Sequence, residues 1–115
     1  MKIIDEKNKI KIPELKKMAE TTYENLVKAV VDIKKEVMAV DAELHADEEQ
    51  RLLEEGSSQK NLWGINLYPG KKGNDFIEFD SMINLRPWQN NRSRGVDDPK
   101  IQEEIIKIVN KLIKR

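Results

Sequence analysis

The single histidine of this 115-residue chain lies in an acidic segment that reads Glu-Leu-His-Ala-Asp-Glu-Glu. His45 follows Glu43 and precedes Asp47, Glu48 and Glu49. An imidazole among carboxylates could act as a general acid or base, or could bind a divalent metal. A metal site needs three or four converging ligands, however, and acidic residues in a first helical turn also stabilise the helix dipole. We therefore take His45 and Asp47 as candidate catalytic residues and predict no metal site, with a structural role for His45 as the alternative.

A second candidate site is the loop at residues 86–98, which begins Arg-Pro-Trp-Gln-Asn-Asn-Arg-Ser-Arg-Gly. Its candidate ligand-binding residues are Arg86, Asn91, Arg92, Ser93 and Arg94. Guanidinium groups bind phosphate or carboxylate through paired hydrogen bonds, amide and hydroxyl groups add neutral donors, and Trp88 could stack on a base. The alternative is an ordered loop in which the arginines pair with acidic side chains such as Asp80 and Trp88 covers the core.

The local signatures of several large enzyme classes are absent. The chain contains no GxGxxG, P-loop, HExxH, GxSxG or Cys/His finger pattern. Trp63, Gly64 and Tyr68 lie in one predicted strand, but this strand lacks the Arg-, Gly- and Phe-rich pattern of an RNA-recognition strand. We therefore predict no cofactor.

The amino-acid composition limits which partners the protein can attract and which cellular compartment we expect for it. The 21 Lys and Arg residues equal the 21 Asp and Glu residues, so no global field attracts nucleic acid or an anionic membrane. The absence of cysteine excludes disulfides, thiolate metal sites and Cys nucleophiles. Residues 1–13 carry acidic side chains and no continuous apolar stretch, so we expect neither a signal peptide nor a membrane span. These features predict a cytoplasmic location.

The apolar pattern predicts helices and strands after an N-terminal arm, residues 1–12. The predicted helices cover about 13–25, 46–56 and 98–115, and the predicted strands lie within 26–33, 37–44, 61–68 and 76–85. Pro13 and Pro99 suit first helical positions, and Asp98 can cap the last helix. Asp47 with Gln50 resembles a capping box.

The Val-rich run from residue 26 to residue 44 is assigned by alternation. Val27, Ala29 and Val31 occupy alternate positions before a charged triplet at 34–36, and the alternation then resumes. This pattern favours two strands joined by a tight turn over one long helix, because it does not follow a 3.6-residue period.

The resulting order is helix, strand, strand, helix, strand, strand, helix. It predicts an α+β fold with a four-stranded, mostly antiparallel sheet and helices packed on one face. The length of 115 residues fits a single domain.

Three strings, ELHADEEQRLLEEGS, LWGINLYP and INLRPWQNNRSRG, occur in this order over nearly the whole chain. Together they resemble a family of small bacterial and archaeal proteins known only as a domain of unknown function. The family implies no activity, substrate or cofactor. The resemblance implies that nine residues occupy family-motif positions: His45, Asp47, Trp63, Gly64, Arg86, Pro87, Asn91, Arg92 and Ser93. Members of that family often have Gly near Glu36, and the chain departs from the pattern there.

The leading hypothesis is a binding module whose Arg/Asn/Ser loop recognises an anionic group, such as the phosphate of a nucleotide or nucleic acid. One alternative is a small hydrolase or nuclease, in which His45 acts as acid or base and Arg86 or Arg92 stabilises developing charge. Another is an interaction subunit, monomeric or a small homo-oligomer, that pairs through a sheet edge. Catalysis requires His45 and the arginines to share a pocket, so their relative position separates the first two hypotheses.

Overall fold

The computed structural model describes residues 1–115 and contains three helices: α1 (Ile12–Thr21), α2 (His45–Glu54) and α3 (Pro99–Leu112). α3 begins as predicted, because the Asp98 side chain accepts a hydrogen bond from the Lys100 backbone N–H at 2.9 Å. α1 ends at Thr21 rather than at residue 25, and Glu24 already has a left-handed φ of +70°. None of the helices is both long and apolar enough to cross a membrane.

Seven strands form one large sheet and one short pair. They are β1 (Lys2–Ile4), β2 (Ile10–Lys11), β3 (Val27–Asp32), β4 (Val37–Val40), β5 (Leu62–Leu67), β6 (Ile77–Glu78) and β7 (Ile113–Lys114). The large sheet has the order β1-β4-β3-β5-β6 and is antiparallel throughout, whereas β2 and β7 pair in parallel. The α+β class is confirmed. The predicted count of four strands was wrong, because the N-terminal arm itself contributes an edge strand and one strand of the parallel pair.

The hairpin predicted for the Val-rich run is confirmed, with Val31 of β3 opposite Met38 of β4. The turn contains neither Gly nor Asn, and Asp32 stabilises it instead. Its Oδ1 accepts the backbone N–H groups of Lys34 and Lys35 at 2.9 and 3.0 Å. Glu36 takes a left-handed φ of +58°, a conformation that favours glycine.

Helices cover both faces of the large sheet. Ala29 and its alternate neighbours on β3 pack in the larger apolar cluster with α1 and α3, while Val30 packs with Leu52 of α2 in a smaller cluster. The prediction of helices on one face was therefore wrong. Alternation assigns side chains to two faces, but it does not say which helix covers each face.

The predicted strand at 76–85 is interrupted, because β6 ends at Glu78. Beyond it, the Asn84 side chain takes the place of a neighbouring strand: it accepts the Gly64 N–H at 2.8 Å and donates to the Gly64 carbonyl at 2.9 Å. A Cβ at Gly64 would lie 2.6 Å from the Cβ of Ser81, so only glycine allows this close approach. This packing holds the segment after β6 against the sheet.

Candidate functional site

A cleft of about 560 Å³ opens on the face of the sheet that α2 covers. Its sides come from the start of α2, the segment after β6, and Arg94. This polar cleft brings the His45 segment and the end of the arginine-rich loop together. Its volume lies within the range of roughly 300–1,000 Å³ that is typical of small-molecule sites.

Three polar side chains on neighbouring strands form the floor of the polar cleft. Lys28 on β3 lies opposite Asn66 on β5, which lies opposite Glu78 on β6. The Asn66 Nδ2 and the Tyr68 hydroxyl both donate to the Glu78 Oε1, at 2.8 and 2.9 Å. The Asn66 Oδ1 has no hydrogen-bond partner, although the residue is only 7% exposed. An unsatisfied buried acceptor is uncommon and indicates a place where a donor can bind.

Lys28 forms none of the salt bridges of the protein. Its Nζ lies 4.9 Å from the centre of the Tyr23 ring, which contributes only weak cation–π attraction. The carboxyl group of Glu48, fully buried in the first turn of α2, cannot serve as its counterion, because burial raises the pKa of Glu48 to about 9. Glu48 is therefore protonated at neutral pH, and Lys28 presents a cation that no carboxylate contacts directly.

The first turn of α2 lines the polar cleft without a side-chain cap. Leu44 occupies the N-cap position, and its side chain accepts no hydrogen bond. The backbone of His45 and Ala46 therefore presents the positive end of the helix dipole. The predicted capping box of Asp47 and Gln50 was wrong, because the helix begins upstream of Asp47. Asp47 is exposed and does not line the cleft.

His45 is buried, and its Nε2 lies 2.8 Å from the carbonyl oxygen of Ile65. Because a carbonyl only accepts hydrogen bonds, Nε2 carries the hydrogen, and Nδ1 of the neutral ring carries a lone pair. Burial lowers the pKa of His45 below its usual value, while the hydrogen bond to the Ile65 carbonyl and the nearby Asn66 amide oppose this effect. His45 is thus a neutral, oriented side chain. No three His, Asp or Glu side chains are grouped so that they could hold a metal ion.

Arg86 lies in the protein interior, only 1% exposed, and does not line the polar cleft. Its guanidinium stacks 4.6 Å from the centre of the Trp63 ring. It donates hydrogen bonds to the carbonyl oxygens of Ile83 (2.9 Å), Gln59 (2.7 Å) and Leu62 and to the side chain of Gln89 (3.2 Å). Burial lowers its pKa, and the nearby carboxylate of Glu49 raises it. These contacts occupy the guanidinium within the fold.

Asn91 and Ser93 are also engaged inside their own loop. The Asn91 Nδ2 donates to the carbonyl oxygens of Asn84 and Gly95 at 2.7 and 2.8 Å, and its Oδ1 accepts the Asp97 N–H at 2.8 Å. The Ser93 hydroxyl donates to the Asp97 carboxylate and accepts the Gly95 N–H at 3.1 Å. Both side chains therefore fix the shape of the loop.

Arg94 is the one loop arginine that lines the polar cleft. Its Nε lies 2.7 Å from the Asp80 Oδ1, so an ion pair forms part of the cleft wall. The Arg92 side chain is exposed, forms no hydrogen bond or salt bridge within the protein, and lies outside the cleft. Trp88 is 75% exposed and does not cover the core.

Sequence reasoning missed the three floor residues, Lys28, Asn66 and Glu78. A usable signal existed for two of them. Lys28 lies between Val27 and Ala29, and Asn66 likewise interrupts a buried apolar strand. A polar residue at such a position must point to the opposite face of the sheet, where it needs a polar environment.

Comparison with known families agrees with the resemblance carried by the three sequence strings. Residues 2–112 match a family described as a protein of unknown function (DUF5674). Neither the curated proteins nor the solved structures contain a significant match. Since the match covers nearly all of the chain, the protein belongs to the DUF5674 family.

Proposed function

We propose that the protein binds a small anionic ligand, such as the phosphate group of a nucleotide, in the polar cleft. One observation carries this proposal: Lys28, which has no carboxylate partner, and the uncapped first turn of α2 line the same concave site. A cation and free backbone N–H groups at a helix N-terminus together favour an oxyanion. The buried, unpaired Asn66 Oδ1 beside them supports a ligand site independently.

The proposed anion site is therefore the polar cleft and not the arginine-rich loop as a whole. Arg94 remains part of it, as a wall residue whose guanidinium is shared with Asp80. Arg86 has a structural role, because its donors are already used in the interior. Arg92 is free but lies outside the cleft, so we expect it to contribute little to affinity.

Calorimetric titration with inorganic phosphate tests the proposal. Lys28→Met keeps the aliphatic stem beside Tyr23 but removes the charge, and it should weaken binding at least tenfold, since a charge-assisted hydrogen bond contributes about 1.5–3 kcal/mol. Lys16→Met is the matched control, because Lys16 is exposed on α1, on the opposite side of the sheet. Equal affinity in the two variants would contradict the proposal.

Acid–base chemistry by His45 on the bound ligand is a second candidate function. The fixed tautomer and the lowered pKa favour it, because a neutral imidazole with a free Nδ1 lone pair can accept a proton at pH 7. Arg94, rather than Arg86 or Arg92, is the arginine that shares the cleft with His45. Slow hydrolysis of a model phosphodiester that disappears in His45→Gln would support a hydrolase or nuclease. No turnover by the wild-type protein would rule this candidate out and favour a binding module without catalysis.

The sheet edges give less support to an interaction subunit. The two edge strands, β1 and β6, are only three and two residues long. Short edges offer few unpaired backbone groups to a partner strand.

A further inference from the structure

The two ends of the polar cleft have opposite electrostatic character. Lys28 on β3 supplies a cation at one end, while Glu78 on β6 supplies acceptors at the other, where Asp80 pairs with Arg94. The first turn of α2 adds backbone donors to the same cleft. The outer floor residues are two strand spacings apart, which corresponds to roughly 10 Å between their backbones. The site is therefore polarised over the length of a small molecule.

Several acceptor oxygens at the acidic end have no donor within the protein. Asn66 and Tyr68 both use the Oε1 of Glu78, which leaves its Oε2 without a hydrogen bond. Arg94 donates to the Oδ1 of Asp80, so the Asp80 Oδ2 also has no hydrogen bond within the protein. The Asn66 Oδ1 is buried and unpaired. These oxygens form a set of acceptors that a ligand could satisfy.

A bare anion does not match this arrangement. Lys28 and Arg94 carry two positive charges in the cleft, and Glu78 and Asp80 carry two negative charges, so the cleft has no net charge while His45 is neutral. An anion attracted to the Lys28 end is repelled by Glu78, which forms no salt bridge, unless its remainder offers that carboxylate a hydrogen-bond donor.

We infer that the ligand of the polar cleft carries an O–H or N–H donor a few bonds from its anionic group. The anionic group binds at Lys28 and the first turn of α2, and the donor binds at Glu78 and Asn66. This inference rests on the proposed function and adds the chemical class of the ligand: a small hydroxylated or amino-substituted anion, rather than a simple anion.

A matched series of phosphate monoesters tests the inference by titration calorimetry. Ethyl phosphate has no donor, glycerol phosphate carries hydroxyl groups, and phosphoethanolamine carries an ammonium group of similar reach. Each is titrated into the wild-type protein and into Glu78→Gln, which keeps an acceptor oxygen for Asn66 and Tyr68 but removes the charge. Glu104→Gln is the control, because Glu104 is exposed on α3 across the sheet.

We expect glycerol phosphate or phosphoethanolamine to bind about tenfold more tightly than ethyl phosphate, which corresponds to one additional charge-assisted hydrogen bond. Glu78→Gln should reduce that advantage, most strongly for phosphoethanolamine if the donor is an ammonium group, and Glu104→Gln should not. Equal binding of all three esters, unchanged in Glu78→Gln, would overturn the inference and leave the anion site intact. Failure of all three esters to bind would overturn the proposed function as well.

Discussion

The free energy of unfolding of Glu48→Gln, relative to that of the wild type, should increase as the pH rises. The Glu48 carboxyl is fully buried: its Oε2 accepts the Ala42 N–H at 3.1 Å, and its Oε1 has no partner. Burial raises its pKa from 4.5 to about 9. The pKa of Glu48 is higher in the folded state than in the unfolded state. The stability that the protonated Glu48 contributes is therefore complete below pH 4.5 and is lost as the pH rises towards about 9.

The magnitude follows from the proton that only the folded state retains over this interval. One such proton lowers the free energy of unfolding by about 1.4 kcal/mol per pH unit, or about 4 kcal/mol from pH 5 to pH 8. Glutamine has no titrating proton, so Glu48→Gln should lose this slope. Its constant offset includes the cost of a buried amide, about 1–3 kcal/mol, so the pH dependence is the informative quantity.

Urea denaturation at pH 5, 6, 7 and 8 measures the effect. The unfolding free energy of Glu48→Gln minus that of the wild type should increase steadily over the series. For Glu54→Gln, an exposed position on the same helix, the difference should remain nearly constant. A pH-independent difference for Glu48→Gln would refute the reasoning, because Glu48 would then be ionised in the folded state and able to neutralise Lys28.

Three further predictions concern other parts of the structure. Arg86→Met should lower the free energy of unfolding by about 3–5 kcal/mol, because it leaves interior carbonyl oxygens without donors. Its phosphate affinity should be unchanged, and a stable variant that binds no phosphate would contradict this. Proton NMR of the single imidazole should give His45 a pKa below 6.5 that rises when phosphate binds, and a value above 6.5 in the free protein would oppose the burial argument. Gly64→Ala should lower stability by about 1–3 kcal/mol through its clash with Ser81, as denaturation would show, and an unchanged midpoint would argue against the close packing.

The sequence predicted those parts of the fold that depend on local pattern. Alternation identified the β3–β4 hairpin, and Asp98 with Pro99 located the start of α3. The interruption of the 76–85 strand could not be predicted, because it depends on the Asn84 side chain pairing with the Gly64 backbone twenty residues earlier. An interaction of that kind leaves no local periodicity.

The candidate site was predicted only in part, for a related reason. The sequence singled out His45 and the loop that contains Arg94, and His45 and Arg94 both line the polar cleft. The sequence could not distinguish Arg94 from Arg86, because the two arginines lie in the same loop. Arg86 is held in the interior by carbonyl groups of Gln59 and Leu62, which are distant in the sequence. The floor depends on strand register, which brings Lys28 and Glu78 together from positions fifty residues apart.

The most direct test of the central claim is a ¹H–¹⁵N titration of the labelled protein with inorganic phosphate. Binding in the polar cleft predicts saturable shifts of the amide signals of Lys28, His45 and Ala46, which line it, with little change at Arg92. Shifts confined to Arg92 and its neighbours would place the anion in the arginine-rich loop and contradict the account.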